Sequence, residues 1–179
     1  MKKIILYFIE TVIVFALTYV VFDYMVLPVT INGSSMDNTL EHGDIVLLNA
    51  LQSSKDDIER FDIVVAHSSL LHEEIIKRVI GLPGDHLKMV DDVLYVNDMV
   101  VNETYLDERF VYESQLRYNT DYFTDDFEVT LRDDEYFLLG DNRLKSTDSR
   151  VLGPFSSDDI LGIGGLIVYP FDHIEWLDY

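Results

Sequence analysis

The stretch Glu74-Ile75-Ile76-Lys77-Arg78-Val79-Ile80-Gly81-Leu82-Pro83-Gly84-Asp85 reads as a β-strand closed by a tight turn. β-Branched residues dominate it, and successive side chains of a strand point to opposite faces. Ile75, Lys77 and Val79 therefore fall on one face, and Ile76, Arg78 and Ile80 on the other. Pro83-Gly84-Asp85 supplies the residues that turns select. A lysine among apolar neighbours has two readings. Its stem lies along apolar surface while the ammonium reaches water. Alternatively the whole group is buried, and desolvation lowers its pKa until it is a usable base.

The same pattern recurs outward from this strand. Residues 44–48, 61–66, 93–96, 129–131, 136–139 and 161–168 are rich in β-branched and aromatic types, the composition of strands. Gly43-Asp44, Asn97-Asp98 and Gly140-Asp141-Asn142 punctuate them, as turns do. No long segment has helical periodicity, and no internal repeat is visible. The expected fold is mainly β, an antiparallel sheet. Residues 86–134 are more acidic and less apolar than their flanks. They are expected to form an inserted, exposed, non-catalytic subdomain, a hairpin followed by an ordered loop. The main domain then comprises 28–85 and 135–179.

Ahead of the β pattern, Lys2 and Lys3 precede an apolar run from Ile4 to about Leu27, interrupted by Glu10 and Asp23. A bilayer core takes roughly 20 helical residues. A cleaved leader would end in small residues, but Tyr19 to Leu27 is bulky throughout, and a buried helix of a soluble domain would tolerate Glu10 poorly. Residues 1–27 are therefore expected to be a cytoplasmic N-terminus and a single membrane anchor. The two leading lysines orient the N-terminus inside and the rest of the chain outside.

Composition removes several classes. The chain of 179 residues has no cysteine, which excludes thiol nucleophiles, disulfides and thiolate metal sites. With 13 Lys plus Arg against 33 Asp plus Glu, it offers no basic cluster for nucleic acid.

Two further segments carry possible chemistry. Gly33-Ser34-Ser35-Met36-Asp37-Asn38-Thr39-Leu40 follows the apolar run, with a glycine that lets the backbone turn and a substrate approach. Taken alone it is a turn. Gly140-Asp141-Asn142-Arg143-Leu144-Lys145-Ser146-Thr147-Asp148-Ser149-Arg150 is dense in donors and acceptors, which suits a loop tied by hydrogen bonds and ion pairs. A calcium loop is the rival, but its arginines and Lys145 disfavour a cation. His72-Glu73 is no zinc motif, because Ile76 stands where His-Glu-x-x-His needs its second ligand. No metal is expected.

In order, these segments resemble the conserved boxes of type I signal peptidases: a Ser-Met box, a Lys-Arg box ending in Pro-Gly-Asp, and a Gly-Asp-Asn-Arg…Ser-x-Asp-Ser-Arg box. His42-Gly43-Asp44-Ile45-Val46 and Asp62-Ile63-Val64-Val65 are similar to the stretches between them. The resemblance covers nearly the whole chain. It implies a signal-peptidase-type β domain with an inserted β subdomain behind one transmembrane helix. Short length, a single anchor and Gly33 look like the Gram-positive relatives.

The resemblance also implies the chemistry. Ser35 would be the nucleophile and Lys77 its general base, a Ser-Lys variant of the serine protease, with Ser146 hydrogen-bonding and orienting the lysine. The Ser35 N–H would hold the oxyanion, and Gly33 stands where some relatives add a serine hydroxyl. Ile31, Met36, Leu40 and Ile76 match positions lining small pockets for an Ala-x-Ala site. Asp148 and Arg150 match a structural ion pair, with Asp141 and Arg143 supporting it. No cofactor is implied. The implied partners are the signal peptides of exported preproteins, bound as an added strand, and the bilayer, near the secretion translocon.

Two departures stand out: Asn38 occupies the place of a usual proline, and Phe61 that of a usual glycine. A Ser-His-Asp hydrolase is disfavoured because the histidines lie in no triad motif. Self-cleaving repressors share the Ser-Lys chemistry but lack an anchor. The remaining alternative is an inactive paralogue that binds preproteins or regulates an active peptidase. At the C-terminus, Tyr169-Pro170-Phe171 and Ile174 to Leu177 read as a packed closing segment rather than one dipping into the outer leaflet.

Overall fold

The computed structural model describes residues 2–49 and 58–177, with the backbone alone for residues 2, 20–27 and 49. Residues 50–57 of the expected main domain and the side chain of Asp23 lie outside this set. The chain opens with α1 (Lys2–Met25) and continues through β1 (Val26–Thr30), β2 (Ile45–Asn49), β3 (Ile63–Ser68) and β4 (Glu73–Gly81). Then come β5 (His86–Val90), β6 (Val93–Val96), β7 (Met99–Val101), α2 (Glu108–Tyr118) and β8 (Phe127–Thr130). It closes with β9 (Glu135–Leu139), α3 (Ser149–Leu152), β10 (Phe155–Ser156), β11 (Ile160–Tyr169) and β12 (Glu175–Trp176).

These strands form two sheets. The larger has the order β1-β2-β11-β3-β4-β9-β10, with β12 added to β11, and the smaller is β7-β6-β5-β8. Each described pairing is antiparallel, so the mainly antiparallel β expectation holds. Pro28 is tolerated in β1 because that strand is an edge, paired with β2 alone.

The register of β4 sets up the site. It pairs with β3 from Glu73↔Ser68 to Arg78↔Ile63. Its other edge meets β9 only from Arg78↔Leu139 onward. Along residues 73–77 that edge therefore has no strand partner among the described residues. Lys77 stands where pairing stops.

The smaller sheet hangs from β4 and β9. Gly84 takes φ 81° in the connecting turn, where a side chain would be strained. The Asp85 carboxylate accepts the Leu82 N–H at 2.7 Å and the Asn97 amide at 2.9 Å. Ile80, Phe137 and Leu139 of the larger sheet share one core with Leu87, Met89 and Leu94 of the smaller. Each such side chain, fully buried, contributes roughly 1.5–3 kcal/mol.

Two expectations are corrected. Residues 108–118, expected as an ordered loop, form α2, capped by the Asp107 carboxylate on Phe110 N and by Asn119 in the left-handed region at φ 50°. Its one buried residue is Ser114, so no apolar stripe announces it. In the C-terminal segment Leu177 is buried and β12 pairs with β11, while Phe171, Ile174 and Trp176 are 79, 58 and 65% exposed. In α1 the described side chains, residues 3–19, are all exposed. Among the described residues no helix is long and apolar enough to cross a membrane.

Candidate active site

Ser35 sits in a loop that its own apolar residues hold down. Met36 and Leu40 are 1 and 0% exposed and enter the core beside Val46 and Leu48. Leu40 N donates to Met36 O at 2.8 Å, and Asp37 N to Ser34 O at 3.3 Å. Met36 and Leu40, expected to line a substrate pocket, thus anchor the loop from below, because pointing them into the core is what turns Ser35 outward. Ile31 and Ile76 do line the cleft, with Gly33, Ser35 and Lys77, in a space of about 530 Å³. Gly33 takes φ 113° and has open space where a Cβ would be.

Lys77 approaches from the end of the free edge of β4. Its Nζ donates to Ser35 Oγ at 2.8 Å and to the Ile76 carbonyl at 2.8 Å. The residue is 3% exposed. Burial pushes its pKa down to about 8, against the opposing pull of Asp148, Asp141 and Glu73. A neutral amine within hydrogen-bond reach of a serine hydroxyl is a competent general base.

Ser146 is close by but does not bond the lysine. Its Oγ is buried without a partner of hydrogen-bonding geometry, although it lies near enough to Asp148 to help stabilise that carboxylate. Gly140 makes this packing possible, since a Cβ there would overlap Ser146 Oγ and the Ser35 carbonyl.

Buried ion pairs surround the site. Asp148 and Arg150 pair twofold, at 2.9 Å each way. Asp148 also takes the Gly140 N–H at 3.1 Å. Burial would raise the Asp148 pKa, but these bonds hold it below the usual carboxylate range. Asp141 does not pair with Arg143. It receives both Nε and Nη2 of buried Arg78, at 2.9 and 2.7 Å, and the Thr39 hydroxyl at 2.5 Å. Arg143 instead reaches Glu103 at 2.6 Å, the Tyr105 hydroxyl at 2.8 Å and Thr124 at 3.2 Å. The reason is distance along the fold: Asp141 faces β4, while Arg143 faces the segment after β7.

Arg78, Thr39, Asn142, Glu103, Tyr105 and Thr124 were not singled out by sequence. Arg78 and Asn142 lie inside recognised boxes, next to residues that were. Glu103, Tyr105 and Thr124 sit in the acidic region, and nothing local marks them. Tyr105 lies between the Arg78 guanidinium, 4.1 Å from its ring centroid, and the Phe61 ring at 5.1 Å. Phe61 takes φ 81°, which is the geometry a glycine would fill without strain. Strain of about 1–2 kcal/mol is offset there by the aromatic contact. Asn38, at φ 83°, adopts a backbone closed to proline.

The chain is similar to known proteins over most of its length. The family described as signal peptidase, peptidase S26, matches residues 4–169. Signal peptidase I U of Bacillus subtilis is 41% identical over 149 residues, 83% of this chain and 78% of that protein. Signal peptidase IB of Staphylococcus aureus is 31% identical over 98% of this chain and 94% of that protein. The crystal structure of a signal peptidase I from Enterococcus faecalis is 32% identical, with a TM-score of 0.52 over 60% of this chain and 96% of that one. A family match spanning most of the chain and relatives above 30% identity that cover 83 and 98% of it show that this chain belongs to the signal peptidase family, peptidase S26, and is a serine endopeptidase.

Proposed function

We propose that the chain removes signal peptides from exported preproteins by cutting after an Ala-x-Ala-like site, with Ser35 as nucleophile and Lys77 as general base. The observation that carries this reading is the 2.8 Å bond from Lys77 Nζ to Ser35 Oγ, with burial already lowering the lysine pKa. Ser35 Oγ attacks the scissile carbonyl carbon while its proton passes to neutral Lys77. The tetrahedral oxyanion collapses, the C–N bond breaks, and the lysine returns the proton to the leaving amine. Water then releases the acyl group from Ser35 by the same route. Ser146, whose hydroxyl is buried next to Asp148, is the group that orients the lysine as it takes the proton.

The unpaired edge of β4 at residues 73–77 supports binding of the substrate as an added strand. Ile31 and Ile76 narrow the cleft against bulky side chains. Residues 86–134 form the non-catalytic subdomain, and Asp141, Arg143, Asp148 and Arg150 brace the site.

In the same reading α1 is the anchor. Its 24 residues extend about 36 Å at 1.5 Å per residue, enough for a ~30 Å hydrocarbon core. Lys2 and Lys3 keep its start cytoplasmic and the catalytic domain outside, near the translocon. Trp176, Leu166, Leu47 and Pro28 lie in one row across the sheet. The exposed aromatics of the C-terminus are thus close to where α1 ends, as contact with the outer leaflet requires.

The test is cleavage of a preprotein ending in Ala-x-Ala, in liposomes, by wild type, Ser35→Ala and Lys77→Ala. Product after the last alanine from the wild type alone supports the cleavage reaction and the roles of Ser35 and Lys77. A folded, inserted wild type that does not cut would favour an inactive, preprotein-binding paralogue.

A further inference from the structure

We infer that Asn142 is a positioning residue that aims the backbone N–H of Ser35 at the oxyanion, an inference that rests on Ser35 being the nucleophile. In a trans peptide the C=O and the following N–H point in opposite directions. The Ser34–Ser35 peptide has its C=O turned inward, where the Asn142 Nδ2 amide donates to Ser34 O at 2.9 Å. The N–H of Ser35 must then face the other way, and no described residue accepts it. That is the orientation a developing oxyanion on a Ser35-bound carbonyl needs.

Two further contacts fix the arrangement. The Asn142 backbone N–H donates to Ser35 O at 3.0 Å, so one residue holds the peptides on both sides of the nucleophile. The amide also lies 3.4 Å from an Asp37 carboxylate oxygen. Gly33 carries no side chain that could serve the oxyanion, and its own N–H is directed at His42 Nδ1, 3.3 Å away.

Stability does not explain the asparagine. Asn142 is 5% exposed, and its Oδ1 is buried with no hydrogen-bond partner among the described residues, at a typical cost of about 1–3 kcal/mol. An amide kept in place with half of its polar capacity unused is held for its donor. The remaining restraint on Ser34 O is the Asp37 N–H at 3.3 Å, too long to hold the peptide plane unaided.

The experiment uses the full chain in detergent, with a soluble Ala-x-Ala peptide as substrate. Asn142→Ala removes the side-chain donor and keeps the backbone bond to Ser35 O. Asn142→Asp keeps the shape but sets an oxygen against Ser34 O. Deleting an oxyanion donor costs about 10²–10³ in kcat. Because Asn142 only restrains the donor, a fall of about 10- to 100-fold is expected in both variants. KM and the apparent pKa of the pH–rate profile should match the wild type.

A peptide aldehyde supplies the readout that a merely structural role would not move. Ser35 Oγ adds to its carbon, the serine proton passes to Lys77, and the former carbonyl oxygen takes the oxyanion position. Its affinity should weaken by the same factor as kcat, while the uncut peptide binds Asn142→Ala/Ser35→Ala as tightly as Ser35→Ala. Unchanged kcat would overturn the inference. So would a loss shared equally by KM, peptide binding and Tm, or a shifted pH profile. Cleavage that persists in Ser35→Ala would instead overturn the nucleophile assignment, and this inference with it.

Discussion

Lys77→Met should make the protein inactive and more stable. Burial holds the lysine pKa near 8, against about 10.4 in an unfolded chain. At roughly 1.36 kcal/mol per pKa unit, keeping the ammonium in that place costs about 3 kcal/mol. Methionine fills similar space without charge. It forfeits the bonds to Ser35 Oγ and Ile76 O, each worth about 1 kcal/mol or less net. A net gain of about 2 kcal/mol at pH 7 follows, or about 4–8 °C in Tm for a chain of this size. The sign depends on pH. The folded pKa lies below the unfolded one, so between about 8 and 10.4 the unfolded state binds more protons and wild-type stability rises with pH. The advantage of methionine is therefore full below about 8 and fades as pH climbs toward 10.4. Thermal and urea denaturation of both proteins in the same detergent, at pH 7 and pH 10, measures it. A variant no more stable than wild type at pH 7, or one whose advantage is the same at both pH values, would refute the reasoning.

Three other outcomes are expected. Wild-type kcat/KM should rise about tenfold per pH unit below 8 and level off above it, because the base must be neutral; a profile flat from pH 6 to 9 would contradict this. Glu103→Gln strips the charge partner from Arg143, whose side chain is wholly buried, and should cost about 3–5 kcal/mol in denaturant unfolding. Asn38→Pro puts the family's usual residue at a backbone of φ 83° that proline cannot adopt; it should lower both Tm and kcat, and a neutral result would mean that the loop takes another course.

Composition was enough to see β2, β3, β4, β9 and β11, because residues such as Val64, Val79 and Leu138 are fully buried and strands covered on both faces read as runs of β-branched and aromatic residues, whereas β1, β10 and β12 carry no such run of their own. The helix α2 was hidden for the opposite reason. It buries almost nothing, and its signals are an Asp cap, an Asn end and the Arg109–Glu113 pair, none of them apolar. Around the site, Ser35 and Lys77 stand out in their boxes, and the structure sets them in contact. The electrostatics were less legible. Asp141 and Arg143 are two residues apart, yet their partners lie on different elements. Which arginine meets which carboxylate is a property of the assembled sheet.

The smaller sheet joins the larger through two adjacent strand ends, so by connectivity alone a short loop could replace it. Glu103, Tyr105 and Thr124 make that excision unsafe. They carry the charge and hydrogen bonds of Arg143, whose Nε also holds the Gly140 carbonyl at 2.9 Å. A minimised enzyme would strand a bare guanidinium one residue from Asn142. The appendage can thus be decorated or lengthened at its outer loops, but trimming it back to the latch would loosen the bond-cutting machinery from a distance.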